Sequence, residues 1–353
     1  RGRGLGVLPD LRAPVCFALR PGDSLYRTKP AYDGTGAWFV ETPRDPRAAA
    51  AIEREILLRH PGDVPPPAPA CAPIVGRTTT DYIDVGDTRL LLRSRAPEAG
   101  HASAPVPLLC LHPLPGSSAL DADLLAALGR TRHALAIDLP GHGESDPERG
   151  DDNPAARAAV VAAALDRLGL GAVDLLVSGT AGPLGAAVIA AMPGRIRRVV
   201  FDAPPVFDAG ARAALLAVPP PSALPEMDGT HLVRIWHHLR DQELWRPWHD
   251  RRRGAARRLE PAIDPAALTL RAREMLKHPA SYARDWRAVH GFDMAAALAA
   301  LPDLPVLLCA RPGALDADRL AAAAAAAPRA RLVSSAAGDL DAHAAAIAAF
   351  LDA

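Results

Sequence analysis

Beyond residue 77, short apolar runs alternate with helix-like segments, and this alternation restricts the fold more than any other feature of the sequence. The apolar run at residues 106–111 is typical of a strand that is buried on both faces of a parallel sheet. Strand-like and helix-like segments then follow one another to residue 201. Because parallel neighbours need crossover helices, the pattern predicts an α/β fold with a mostly parallel central sheet and helices on both of its faces.

Composition and charge exclude several classes of protein. Of the 353 residues, 49% are hydrophobic and 23% are charged, so the chain can bury a core and is not disordered throughout. Forty basic side chains balance forty acidic ones, which leaves no net field to attract nucleic acid or an anionic membrane. No apolar run reaches the roughly 18 residues of a membrane span. We therefore expect a small-molecule substrate or ligand, with no nucleic acid and no membrane as partner.

Residue usage gives weaker indications of origin and cofactor. Lys29 and Lys277 are the only lysines, and alanine, proline and glycine are abundant, as in proteins encoded by GC-rich genes. We expect a bacterial, cytoplasmic protein. The cysteines are too few and too scattered for a disulfide framework or a CxxC metal site, so no cofactor and no metal are expected. They are Cys16, Cys71, Cys110 and Cys309.

The sequence contains a repeat of itself. The motifs Leu-Pro-Asp-Leu, Pro-Val and Arg-Pro-Gly occur in this order at residues 8–22 and again at 301–313. Both copies continue through a β-like segment into an alanine-rich helix with Ala-Ala-Ala-Ile, at 49–52 and 344–347. The order of the motifs is kept and, after a two-residue insertion (Arg12-Ala13) in the first copy, the spacing from Pro-Val to Arg-Pro-Gly is identical, so we predict that residues 1–60 are the C-terminal fragment of a preceding domain of the same fold. Residues 61–76 are rich in proline and predict a linker to a domain at 77–353.

The second domain carries four motifs: those at residues 112–118, 138–145 and 178–182 follow predicted strands, and the one at 305–313 is a strand with the turn after it. They read His-Pro-Leu-Pro-Gly-Ser-Ser, Asp-Leu-Pro-Gly-His-Gly-Glu-Ser, Ser-Gly-Thr-Ala-Gly and Pro-Val-Leu-Leu-Cys-Ala-Arg-Pro-Gly. In this order they resemble the motifs of the α/β-hydrolase superfamily. The resemblance covers residues 78–353. It implies the α/β-hydrolase fold with a helical lid at about 205–300, and an upstream hydrolase domain as an intramolecular partner.

The resemblance also implies roles for individual residues. The segment 178–182 occupies the nucleophile elbow, where Thr180 stands in place of Ser, Cys or Asp. The backbone amides of Leu114 and Ala181 correspond to the oxyanion-hole donors. His112 belongs to the loop that carries Leu114, and His142 corresponds to a histidine that orders the Pro-Gly-His-Gly turn.

The histidine base of the family is missing from its expected position. It commonly follows a glycine before the closing helix, and the pair found here is Gly338-Asp339. His343 lies four residues later, about one helical turn away. We expect His343 on the surface of the closing helix, where a catalytic role would require its ring to move toward the pocket.

The acid position differs from the family in the same way. Ala314 stands where the first copy of the repeat has Asp23, after Arg-Pro-Gly in both copies. Asp316 lies two residues later, and Asp202 at the end of an earlier strand is an alternative acid.

The nucleophile, acid and base positions thus hold Thr180, Ala314 and Asp339. Loss of a triad leaves only about 10³–10⁴-fold catalysis from binding and oxyanion stabilisation. We predict a degenerate α/β hydrolase, a pseudoenzyme that is weakly active or non-catalytic. The alternative is an active ester or amide hydrolase that uses Thr180 with a displaced acid and with His343.

Several histidines in the lid raise the question of a metal site. An apolar stripe on the same segment is typical of an amphipathic helix that packs on a core, and it places His231 and His238 on the solvated face. We therefore predict no metal site in the lid. The histidines are His231, His237, His238 and His249, and the stripe is Leu232, Ile235, Trp236 and Leu239.

Overall fold

The computed structural model describes most of the chain, and the chain divides into two compact units, Arg1–Ala72 and Pro73–Ala353. The Leu-Pro-Asp-Leu motif of the first repeat copy, Asp23, Gly338 and nearly all of the predicted linker lie outside the described residues. The described residues are 15–22, 30, 32, 34, 36–59, 76–97, 106–150, 153–258, 260–311, 314–334 and 339–353.

The first unit contains two parallel strands followed by a helix: β1 (Cys16–Leu19), β2 (Trp38–Glu41) and α1 (Pro46–Arg59). Phe17 of β1 stacks on Phe39 of β2, with 5.1 Å between the ring centroids. Among the side chains of α1 only Ala49 is buried. Within its described residues, the unit therefore has the elements of a sheet-and-helix layer, and the helix buries a single side chain.

The second unit contains an eight-stranded sheet in the order β10-β9-β8-β7-β5-β6-β4-β3. Within this described sheet the pairs β3–β4 and β4–β6 are antiparallel, and the other neighbours are parallel. The predicted α/β fold with a mostly parallel sheet is confirmed. The strands are β3 (Thr78–Val85), β4 (Thr88–Arg95), β5 (Leu108–Leu111), β6 (Ala134–Ile137), β7 (Val173–Ser178), β8 (Ile196–Asp202), β9 (Val306–Ala310) and β10 (Arg331–Ser334).

Two apolar layers cover the two faces of this sheet. Along β5, Leu109 and Leu111 belong to one buried cluster, while Leu108 and Cys110 belong to the other. This alternation is the side-chain period of a strand, and a strand buried on both faces needs apolar residues at every position. The helices of the unit are α2 (Ala122–Leu128), α3 (Pro154–Arg167), α4 (Gly182–Ala191), α5 (Ala209–Leu216), α6 (Thr230–Leu244), α7 (Pro265–Leu276), α8 (Tyr282–Gly291), α9 (Met294–Ala299), α10 (Leu320–Ala326) and α11 (Leu340–Asp352).

The segment between β8 and β9 forms the predicted lid and has its own apolar cluster, which includes Ile235, Leu239 and Trp286. Two lid predictions were wrong. Leu232 is 52% exposed, whereas His238 is buried and hydrogen-bonds to the hydroxyl of Tyr282. Because α6 packs against α7, the buried face of α6 is rotated away from the predicted stripe. Burial lowers the pKa of His238 to about 3. No helix in the described part of the chain has the length and apolar character to cross a membrane.

Candidate active site

A cavity of about 370 Å³ lies between the carboxyl ends of the central strands and the lid. Ligands of open α/β sheets bind at this edge, because loops that leave the strands in opposite directions open a crevice there. Residues that directly follow β5, β7, β8 and β9 line one side, and helices α6, α7 and α8 line the other. The strand-side lining includes Pro113, Leu114, Gly179, Thr180, Ala203 and Arg311, and the lid side includes Leu239, Met275, Tyr282, Trp286 and His290.

The strand-to-helix turn after β7 is made by Gly179, whose φ is +48°. This left-handed conformation is costly for residues with a Cβ and easy for glycine. A Cβ placed on Gly179 would meet no atom within 4 Å, so the position faces open space. The sequence pattern predicts Thr180 at the apex of this turn. The apex instead lies one residue earlier, at Gly179. The residue that follows the turn is Thr180, and its amide corresponds to the donor that the sequence pattern predicts at Ala181.

The hydroxyl of Thr180 points back to the loop after β5. Its Oγ1 accepts a hydrogen bond from the backbone N–H of Leu114, at 2.9 Å. Among the described residues, this is the only hydrogen bond of the Thr180 side chain, so no described imidazole lies in position to take its proton. Ala181 is buried and completes the single 3₁₀ turn before α4. One of the two predicted oxyanion donors, the amide of Leu114, is thus engaged by Thr180.

Asp202 ends β8, lines the cavity and is paired with Arg311, the residue that follows β9. The guanidinium Nε lies 2.9 Å from Asp202 Oδ2, and the backbone N–H of Arg311 donates to Oδ1 at 3.2 Å. Arg311 Nη2 also donates to Asp121 Oδ1 at 3.0 Å. Burial alone would raise the pKa of Asp202, but the contacts from His343 and Arg311 lower it below its ordinary value. Two buried carboxylates therefore share one cation at the start of the loop that leads to the acid position, Ala314.

The prediction that His343 lies on the helix surface was wrong. His343 is 1% exposed, and its Nε2 lies 3.3 Å from Asp202 Oδ2. It shares one face of α11 with the fully buried Ile347 and Leu351, at a spacing of four residues. That spacing was visible in the sequence and could have placed the ring against the sheet. The structure therefore brings the displaced histidine and the alternative acid together.

Asp202, Cys309 and His343 form the one group in the described chain that could hold a metal ion, with ligand atoms within 4.8 Å of one another. The surroundings oppose this role. Arg311 already neutralises Asp202, and burial raises the pKa of the Cys309 thiol well above its ordinary value. Because a metal needs the thiolate and would lie beside a guanidinium, we interpret the group as an ion-paired core.

The two predicted carboxylates occupy different places. Asp316 is buried in the loop after β9, lines the cavity and pairs with Arg246. Burial raises the pKa of Asp316, although Arg246 opposes that change. Asp339 is exposed and caps α11, with Oδ1 accepting from the N–H of Ala342 at 2.8 Å. Asp316 is thus at the cavity but paired, and Asp339 has the role of a helix cap.

The two loop histidines are buried and hold the loops around the cavity. His112 Nε2 accepts from the N–H of Leu139 at 3.2 Å, and burial lowers the pKa of this ring. His142 lies between the carbonyl of Pro140, at 2.9 Å from Nδ1, and Asp285 Oδ2, at 2.8 Å from Nε2. Since Asp285 belongs to α8, His142 joins its loop to the lid.

Sequence reasoning missed His290, which lines the cavity from α8. Its side chain is 3% exposed, and its buried Nδ1 has no hydrogen-bond partner among the described residues. Its ring packs edge-on against Trp286, with 4.2 Å between centroids. Burial, together with the charge of Arg246, lowers the pKa of His290 to about 3. The spacing of four residues from Trp286 was a signal for a shared buried face, but nothing local indicated a cavity.

Comparisons with known proteins agree with this architecture. A sequence model of the α/β-hydrolase fold family matches residues 106–230. No curated protein sequence matches the chain. The second unit therefore has the α/β-hydrolase fold, with a helical lid between β8 and β9.

Solved structures with this fold are similar over most of the chain. One is E-2-(acetamidomethylene)succinate hydrolase, with 19% identity and a TM-score of 0.55, covering 78% of this chain and 100% of its own. Another is the enol-lactonase from Burkholderia xenovorans LB400, with 20% identity and a TM-score of 0.55, covering 77% of this chain and 100% of its own. A third is a hydrolase from Pseudomonas aeruginosa PA01, with 23% identity and a TM-score of 0.54, covering 78% of this chain and 98% of its own. At these identities the likeness shows the fold alone.

Proposed function

We propose that the second unit is a degenerate hydrolase domain that binds a small molecule in its cavity and hydrolyses it weakly or not at all. One observation carries this proposal. The apex of the elbow is Gly179, and the adjacent hydroxyl, that of Thr180, is hydrogen-bonded to the amide of Leu114.

A hydroxyl becomes a nucleophile when a base within hydrogen-bond reach, about 2.6–3.2 Å, takes its proton. The contact of Thr180 is instead a donor, the N–H of Leu114. That contact also occupies an amide which the reaction would need for the developing oxyanion. The same hydrogen bond therefore weakens both nucleophilic attack and stabilisation of the transition state.

The context of the domain belongs to this proposal too. Residues 1–60 would be the closing part of a second domain of the same fold, and the cavity domain would act as its binding or structural partner. The repeat and the parallel β1–β2 pair followed by α1 support this view. A bacterial, cytoplasmic setting rests on residue usage alone.

An active ester or amide hydrolase is the second candidate, and the contact between His343 and Asp202 favours it. An acid and an imidazole 3.3 Å apart are two members of a triad. Catalysis would require the ring of His343 to leave this contact and reach Thr180, since no described contact joins the two side chains.

Hydrolysis of short-chain p-nitrophenyl esters by the wild type and by Thr180→Val separates the two candidates. Valine keeps the shape of threonine and removes its hydroxyl. We expect slow turnover that is unchanged or slightly faster in Thr180→Val, because the amide of Leu114 is released. A matched control is Thr230→Val at an exposed site in the lid. A loss of more than about tenfold in Thr180→Val alone would overturn the proposal.

A second experiment tests the apex directly. In Gly179→Cys the new thiol would face the open cavity, and we expect iodoacetamide to label it in the folded protein. Cys110 and Cys309 are buried with raised thiol pKa values, so they should stay unlabelled. Cys16 and Cys71 are replaced by serine in the background. Failure of iodoacetamide to label the new thiol in a folded variant would show that the apex does not face the cavity.

A further inference from the structure

The lid side of the cavity is apolar and aromatic. Leu239, Met275, Tyr282, Trp286 and Val289 contribute to this wall. A volume of about 370 Å³ is near the lower end of the range for small-molecule sites. The wall therefore fits a compact molecule with an apolar body.

The charged groups on the strand side are already paired. Arg311 lies between Asp202 and Asp121, at 2.9 and 3.0 Å. Asp316 is paired with Arg246, which is itself buried. A charged ligand would have to displace one of these partners.

The same holds for the charged groups on the lid side. Glu243 is buried between two guanidinium groups, Arg257 at 2.9 Å and Arg271 at 2.7 Å. Every charged side chain that lines the cavity in the described chain thus has an opposite charge within an ion-pair distance. Because an ion that leaves water without a new partner is strongly disfavoured, these pairs select against ionised ligands.

Two neutral polar groups at the cavity, Ser178 Oγ and His290 Nδ1, are buried without a hydrogen-bond partner among the described residues, and His290 is the one on the lid side. The side chain of His290 is only 3% exposed, and its Nδ1 has no hydrogen-bond partner among the residues that the structure describes. Buried polar groups in proteins are hydrogen-bonded as a rule. The low pKa keeps this ring neutral, so it offers one donor and one acceptor. Contacts with Trp286 and Phe207 fix its orientation.

We propose that the cavity binds an uncharged, largely apolar molecule whose single polar group, a carbonyl or hydroxyl, hydrogen-bonds to His290. This rests on the proposed function only in that the ligand is bound and released without cleavage. His290 then hydrogen-bonds to the polar group of the ligand, while the aromatic side chains of the lid pack against its apolar body.

Four probes with one phenylalkyl body and different end groups test the proposal. They are 4-phenyl-2-butanone, butylbenzene, 3-phenylpropanoate and 3-phenylpropylammonium, and their affinities are measured by ligand-observed NMR on the full chain at pH 7. The ketone cannot be hydrolysed, so its binding does not depend on whether the domain is an enzyme. We expect the ketone to bind about tenfold more tightly than either ion.

His290→Phe keeps the aromatic ring and removes both nitrogens. We expect it to weaken ketone binding about fivefold and to leave butylbenzene binding unchanged, since only the ketone has a hydrogen bond to lose. His237→Phe, at an exposed position on α6, is the matched control and should change neither affinity.

Equal or tighter binding of either ion would overturn the proposal, as would an equal loss for ketone and hydrocarbon in His290→Phe. Binding of none of the four probes at millimolar concentration would overturn it as well. The selectivity against ions needs no variant, so it remains a test if His290→Phe fails to fold. Thr180-dependent ester cleavage, by contrast, would refute the proposed function and leave this selectivity in place.

Discussion

The segment β1–β2–α1 of the first unit and the segment β9–β10–α11 of the second have the same parallel pairing of two strands followed by a helix, but they bury that helix differently. In the second unit β9 also pairs with β8, whereas the described pairing of β1 is with β2. Ile347 of α11 is fully buried, while its counterpart in the repeat, Ile52 of α1, is half-buried.

This difference separates two effects that usually occur together. A local pattern is enough to specify two parallel strands and a helix. Burial of the helix depends on how many strands lie beneath it, because two strands offer too little apolar surface. Four sets of substitutions test this comparison, and they are ordered from the largest expected effects to the smallest.

The largest effect is expected for the arginine of the Arg-Pro-Gly motif. Arg311→Gln leaves Asp121 and Asp202 buried without their shared cation, and we expect a loss of about 3 kcal/mol in the free energy of unfolding. Arg20 occupies the same place in the first copy and is exposed. Arg20→Gln should therefore change the free energy of unfolding by less than about 0.5 kcal/mol. Urea unfolding followed by tryptophan fluorescence measures both. Equal effects would contradict the comparison.

The second effect concerns the two helices directly. Ile347→Ala removes a fully buried side chain and should lower the free energy of unfolding by about 3 kcal/mol. Ile52→Ala removes a half-buried side chain and should lower the free energy of unfolding by about 1 kcal/mol. Hydrogen exchange of the amides in α11 and α1 reports each helix separately. A similar cost in both would mean that α1 has a more complete core than the described residues show.

The third effect depends on pH. His343 aligns with Ala48 of the first copy, and His343→Ala removes one of the contacts that lower the pKa of Asp202. A carboxyl whose folded pKa is lowered stabilises the fold above its ordinary pKa near 4, and this stabilisation is lost as the pH falls.

We therefore expect His343→Ala to lower the free energy of unfolding by about 1 kcal/mol at pH 7, and by less as the pH falls below about 4. Urea unfolding at a series of pH values measures this, with His237→Ala on the lid surface as control. A loss that is the same at pH 7 and at pH 3 would show that only packing is involved.

The smallest effect is expected on the outer face of α1. Leu57 and Leu58 are 73% and 68% exposed, so replacing both with serine should change stability by less than about 0.5 kcal/mol. Thermal unfolding measures this. If the double variant instead loses more than about 1 kcal/mol, a partner surface covers these leucines and the first unit is better packed than its copy suggests.

The sequence was a good guide to the fold. Alternating apolar runs predicted the parallel sheet and its two helical layers, because side-chain period and run length are local properties. The lid was placed correctly between β8 and β9, but the buried face of α6 was not. Which side of a helix is covered depends on its neighbours, as His238 shows.

The site was predicted less well than the fold. The motif at 178–182 located the turn, but the backbone torsion assigned its apex to Gly179 and not to Thr180. The spacing of His343 from Ile347 was readable as a shared face, yet its distance from Asp202 was not. His290 carried no local signal of a cavity.

By itself, the sequence determined the kind and order of the strands and helices, the repeat, and the loops that would meet at the carboxyl edge of the sheet. The tertiary structure decided which charges pair across that edge and which hydroxyl meets which amide. The physical reason is range. Patterning acts over a few residues, whereas Asp202 and Arg311 are 109 residues apart and meet only because β8 and β9 are neighbours in the sheet.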